Sequence, residues 1–114
     1  HTLSEMQDES GMWHTLIDDP DSYLETSATC GFGYGILKAV RMGLIDPAYQ
    51  KCGEKALQAV LERIRPDGTV EQVSYGTPMG RESREFYKQI EIRPMPYGQA
   101  LAMLFLLEVL HMDR

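Results

Sequence analysis

The sequence predicts an all-α fold in which outer helices shield inner ones, as in part of a helical toroid or solenoid, with a short irregular or β-like arm near residues 69–80. Three observations predict it. Residues 49–64 place Tyr49, Cys52, Ala56, Ala59, Val60 and Ile64 at helical spacing, with Lys51, Glu54, Lys55 and Glu62 elsewhere. By contrast, 28–40 and 100–110 are apolar or small nearly all round, the mark of helices buried on several faces. Alternation of one-sided with fully buried helices is what two-layer helical architectures require. Finally, Gly11-Met12-Trp13-His14-Thr15-Leu16 is echoed by Gly68-Thr69-Val70-Glu71-Gln72-Val73. Each is followed by a proline-bearing loop and an apolar helix pattern, so the chain reads as two repeats of outer helix, glycine-led loop and inner helix.

Taken in order, 1–7 reads as the tail of an outer helix, stopped by Asp8 to Gly11. Ser22-Tyr23-Leu24-Glu25 fits a capping box, with the serine as N-cap and the glutamate closing it three residues on. From there an inner helix is expected to run to Met42, with Gly43 as its stop. Asp46-Pro47 supplies a cap and a first-turn proline for an outer helix to about Arg63. The connection 66–96 is long and bears glycine and proline; within it, 69–75 suits a short strand pair and 76–80 a turn. A second inner helix begins near Pro94-Met95-Pro96-Tyr97-Gly98. Repeats of this kind cannot bury their faces singly, and roughly three are normally needed for stability. The expectation is one unit, 1–114, belonging to a larger assembly.

Charge narrows the function. The net charge is −6, and residues 1–37 hold seven acids and no Lys or Arg. Binding to nucleic acid is not expected, because it depends on neutralising phosphates with basic side chains. No apolar run approaches the length of a membrane span. Cys30 and Cys52 fall within helical patterns at no metal-ligand spacing, which suits buried thiols in a reducing, cytoplasmic setting. The first residues carry no basic start or apolar core of a signal peptide.

The residues with chemical potential cluster in Ser10–Ala28. Asp18, Asp19, Asp21 and Glu25 lie close enough to present two carboxylates to one substrate, as proton donor and base. They equally suit a solvated turn around Pro20 and a capped helix start. Trp13 fits either a sugar-stacking platform or a hydrophobic plug. His14 has no paired nucleophile. Gly31-Phe32-Gly33-Tyr34-Gly35 superficially resembles a phosphate loop but follows a capped helix start, not a strand; Gly31 and Gly35, a turn apart, suit close approach of a neighbouring helix instead. The uncapped start near Pro94, with Lys88 and Arg93 just upstream, is a candidate for receiving a carboxylate.

Four strings carry a resemblance: G-M-W-H-x-x-I-D-x-P-x-S-Y-x-E-T-S-A from Gly11, G-Y-G-I-x-K-A-V-R-x-G from Gly33, D-G-x-V-x-x-V-S-Y-G-T-P-x-G from Asp67, and P-Y-G-Q-A-L-A from Pro96. In order and spacing, over nearly the whole chain, these resemble the C-terminal portion of the unsaturated glucuronyl and rhamnogalacturonyl hydrolases, glycoside hydrolase families 88 and 105. The resemblance implies part of an (α/α)6 barrel. It also implies action on oligosaccharides ending in a 4,5-unsaturated uronic acid, by hydration of the C4–C5 double bond with an Asp as general acid and base. No metal or organic cofactor is implied. The family's catalytic aspartates belong upstream of the matched region, so no catalytic residue is assigned here, and the chain alone is expected to be inactive. In such barrels the cleft lies where loops enter the inner helices, making Trp13, His14, Tyr23, Tyr97 and the arm around 75–79 cleft-rim candidates. The alternative is a non-catalytic helical-repeat module that binds a carbohydrate or a protein partner. Self-association, or an upstream portion, would cover exposed inner-helix surface.

Overall fold

The computed structural model describes residues 2–74 and 88–112. Four helices carry the described fold: α1 (Thr2–Met6), α2 (Thr26–Arg41), α3 (Gln50–Leu61) and α4 (Pro96–Met112). Two short antiparallel pairs complete it. β1 (Trp13–His14) pairs with β2 (Leu24–Glu25) in the register Trp13↔Glu25, and β3 (Val73–Ser74) pairs with β4 (Ile92–Arg93) in the register Val73↔Arg93. Of the strand pair expected within 69–75 only one strand forms, Val73–Ser74, and its partner lies outside the arm about twenty residues on, at Ile92–Arg93. The turn expected at 76–80 lies outside the described residues.

α2 is the centre. It packs against α3 on one side and α4 on the other, while α3 and α4 touch each other little. The core lies at these two seams, where Cys30 and Leu37 of α2 meet Cys52, Ala56 and Val60 of α3 and Ala102 and Phe105 of α4. Burying such apolar surface contributes on the order of 25 cal/mol per Å².

The stop of α2 follows the sequence. Met42 is the C-cap, Gly43 has φ +74°, Gly43 N–H donates to Val40 O and Leu44 N–H to Ala39 O. Those two bonds are the Schellman pattern, which needs a residue tolerant of left-handed backbone at this position. The start of α2 does not follow the capping-box expectation. Glu25 is itself the N-cap, in extended backbone, and Ser22 lies outside the helix with its hydroxyl on the carbonyls of Asp19 and Leu16. The reason is that Leu24–Glu25 is drawn into the β1–β2 pair, so helical geometry cannot begin before Thr26.

The glycines expected to admit a neighbouring helix also depart from expectation. Gly31 and Gly35 have open space where a side chain would be, whereas a Cβ on Gly33 would lie 2.5 Å from Phe105 Cζ. Gly33, between them on the opposite face, is what lets α4 approach. Asp46 caps a short 3-10 helix, Pro47–Tyr49, that leads directly into α3, whose buried positions Cys52, Ala56, Ala59 and Val60 make it one-sided as expected. α4 is also buried on one side within this chain. Ala102, Phe105 and Glu108 face inward, while Met103, Leu104, Leu107 and Leu110 are exposed.

Candidate functional site

The loops that enter α2 and α4 are joined through one carboxylate. Glu25 is almost fully buried, and its two oxygens accept from Ser27 N (3.1 Å), Ala28 N (2.7 Å), the Ser27 hydroxyl and Ser74 N (2.9 Å). The first two are the free N–H groups of the α2 start, where a negative side chain is favoured by the helix dipole as well. The last is 49 residues away in sequence and ties β3 to the α2 entry. Thr26 N–H adds a second tie by donating to Gln72 O at 2.9 Å, and Gln72 Nε2 donates to Leu24 O at 2.8 Å. Gln72 holds φ +63°, a strained setting for a residue with a side chain. Beyond Ser74, the Tyr97 hydroxyl at the start of α4 donates to Ser74 O.

Trp13 is fully buried. Its Nε1–H donates to Leu3 O at 2.8 Å, its backbone N–H donates to Thr29 Oγ1, and its ring meets Phe32 edge to face at 5.3 Å. A ring enclosed on both faces has no surface to offer a sugar, so Trp13 is a plug that fastens α1 and the loop to α2. Of the two readings open for this residue, its burial favours the plug over the sugar platform.

His14 is largely enclosed. Nδ1 faces Ser22 O at 2.5 Å and Nε2 faces Asp8 Oδ1 at 3.2 Å. The Asp8 carboxyl is held below its usual range first by the Ser10 backbone N–H, then by the Ser10 side chain, with His14 adding to the effect. Beside it lies an open groove of about 300 Å³ walled by Glu5, Asp8, Glu9 and Asp18. Four carboxylates repel an acidic sugar, so this groove does not suit a uronate.

The ring of Tyr23 is half-buried, but its hydroxyl is closed off from solvent and, among the described residues, has no hydrogen-bond partner; the same holds for Thr26 Oγ1. Tyr97 differs from these three candidates, since it is 39% exposed with its hydroxyl engaged at Ser74. The carboxylates of the acidic loop do not converge as a donor and base. Asp19 accepts from Asp21 N at 2.9 Å and pairs with Lys88 Nζ at 3.0 Å, Asp18 is exposed, and Glu25 is buried as a cap. The same Lys88–Asp19 pair takes up one of the two cations proposed for an anion at the α4 start. Residues 75–79, also expected at the rim, lie outside the described residues.

A larger cavity, about 580 Å³, lies between α3 and the far ends of α2 and α4, lined by Leu37, Leu57 and Val109 among others. Gln50, Glu54, Lys55 and Gln58 of α3 make up the rest of its lining, away from the entries of α2 and α4. Cys30 is buried beside Glu25, and burial first, then that carboxylate, pushes its thiol up to about 12. Among the described residues, no set of three or more His, Cys, Asp or Glu is placed to hold a metal ion, and no helix is long and apolar enough to cross a membrane.

Comparison with known proteins assigns the family. The model of Glycosyl Hydrolase Family 88 matches residues 1–113. The chain belongs to that family. As a family 88 chain it is 41% identical, over 109 residues, to the unsaturated rhamnogalacturonyl hydrolase YesR of Bacillus subtilis, a match covering 95% of this chain and 30% of that protein. Its structure superposes with a TM-score of 0.95 on a possible member of the GH105 family from Salmonella enterica, at 52% identity, covering 98% of this chain and 29% of the other. A family 88 glycosyl hydrolase from Bacteroides vulgatus shares the fold at 21% identity, with a TM-score of 0.77, over 96% of this chain and 32% of that one. The family 88 chain thus spans about a third or less of the length of these relatives. The Glu25–Ser74 tie was not read from the sequence, and the one signal pointing to it is the presence of both residues in the matched strings.

Proposed function

We propose that this chain is the C-terminal part of an (α/α)6 barrel glycoside hydrolase that acts on oligosaccharides ending in a 4,5-unsaturated uronic acid. The observation that carries this reading is the identity to the unsaturated rhamnogalacturonyl hydrolase along 95% of the chain, within an established family match. The exposed apolar face of α4 supports it, because an inner barrel helix is covered on that side by the rest of the ring.

In this reading an aspartate from the upstream part delivers a proton to the C4–C5 double bond, and water adds at C5. The hydrated sugar then rearranges and releases the uronic acid. The present chain supplies the rim of the cleft at the entries of α2 and α4, with Tyr97 as the side chain open to sugar and His14 and Tyr23 as further rim residues. The two buried free thiols suit a reducing, cytoplasmic setting.

The test is loss of ultraviolet absorbance from an unsaturated disaccharide. Turnover is expected from the full-length protein and not from the 114-residue chain. Efficient turnover by the short chain alone would overturn the absence of an acid/base here. A full-length protein inert toward all unsaturated uronides, yet binding saturated oligosaccharide or a protein, would favour a non-catalytic helical module.

A further inference from the structure

A helix N-cap needs to reach only the N–H groups two and three residues ahead, and Ser, Thr, Asp and Asn do so with fewer atoms than Glu. Glu25 satisfies both of those groups, and its Oε2 also meets Ser74 N at 2.9 Å. Ser74 is held from its other side as well, because its carbonyl accepts the Tyr97 hydroxyl. Ser74 is buried and Tyr97 is 39% exposed. The connected groups therefore run from a buried carboxylate at the start of α2 to an accessible aromatic ring at the start of α4.

We propose that Glu25 is a positioning residue which, through Ser74, holds the Tyr97 ring in the orientation that receives the sugar. The inference rests on the functional reading above, in which the entry ends of α2 and α4 form the cleft rim. An aromatic ring binds a sugar through its face, so the direction of that face matters. A ring whose hydroxyl is already tied loses less freedom when the ligand docks. Neither end of the relay needs to touch the reacting carbon atoms, so the effect belongs to binding and not to the chemical step.

Glu25→Ser and Tyr97→Phe, made singly and together in the full-length protein, test this. Serine still caps α2 but is too short to reach Ser74, and phenylalanine keeps the ring without its tether. Each single variant is expected to raise KM for the unsaturated disaccharide about 3- to 10-fold, the worth of one hydrogen bond. kcat should stay within about twofold of wild type. The double variant should be no worse than the more affected single one, because both cut the same relay. Ser74 amide exchange should quicken in Glu25→Ser. KM unchanged in Tyr97→Phe, or additive effects in the double variant, would overturn the relay while the wild type still turns over. An inactive wild type would overturn the functional reading beneath it, and is seen before any variant is compared.

Discussion

Arg41 and Glu108 join α2 to α4 through a two-point ion pair, Nε to Oε2 at 2.8 Å and Nη2 to Oε1 at 3.0 Å. The carboxylate is 1% exposed and the guanidinium 38%, so one partner is buried and the other half in water. The Arg41 hydrogen bonds, more than any other influence, hold the Glu108 carboxyl below its ordinary value of 4.5. A depressed folded-state value means stability that is present above about pH 4.5 and lost as pH falls through the lower folded value. Melting temperature against pH should therefore drop on the acid side, and Glu108→Gln should flatten that drop while lowering the melting temperature at pH 7. An unchanged acid limb in Glu108→Gln would count against the pair.

Gly33→Ala and Gly35→Ala should move stability in opposite directions. At Gly33 the new methyl meets the Phe105 ring at 2.5 Å, and overpacking of this kind costs about 1–3 kcal/mol. At Gly35 the methyl meets nothing within 4 Å, and the gain in helix propensity is about 0.5–1 kcal/mol. Urea titration of the two variants separates them, and Phe105→Leu should restore part of what Gly33→Ala loses.

The single tryptophan makes the plug directly observable. Trp13 fluorescence should be blue-shifted, poorly quenched by acrylamide, and unmoved by added unsaturated oligosaccharide, since the ring is fully buried. Trp13→Ala should cost about 3–5 kcal/mol of stability. A ligand-dependent shift in emission would show that the ring has an accessible face.

Both thiols should resist reagents. Cys30 is pushed to about 12, and Cys52 is also raised above its usual value, chiefly by burial. Because the thiolate is the reactive form, Ellman's reagent at pH 8 should react slowly with the folded protein and fully after denaturation. Rapid labelling of Cys30 in the native state would contradict its placement in the core.

The helices were legible because their signals are local. Gly43 could be recognised as a stop, and the one-sided pattern from Cys52 to Val60 marked α3, from spacing alone. Ser22–Glu25 was misleading because the same residues satisfy two geometries. The choice fell to β1, a partner ten residues upstream that holds Leu24–Glu25 extended. Helical period identified a glycine-rich surface but not which glycine meets a neighbour, since that depends on where Phe105 lands from another helix. Trp13 as plug or platform likewise turned on Leu3 and Phe32, which no motif joins to it. The candidate site was least legible where it is most connected, because Glu25, Ser74 and Tyr97 are brought together only by the fold.

Met103, Leu104, Leu107 and Leu110 leave α4 with an apolar row in water. In the proposed barrel, such a row would make folding of this region and its association with a covering surface one thermodynamic event. Its midpoint then depends on how much of that surface is present, not on temperature alone. Supplied in trans, a covering segment would act on this chain as a stabilising ligand. Without one, rising protein concentration would itself select for self-contact along α4.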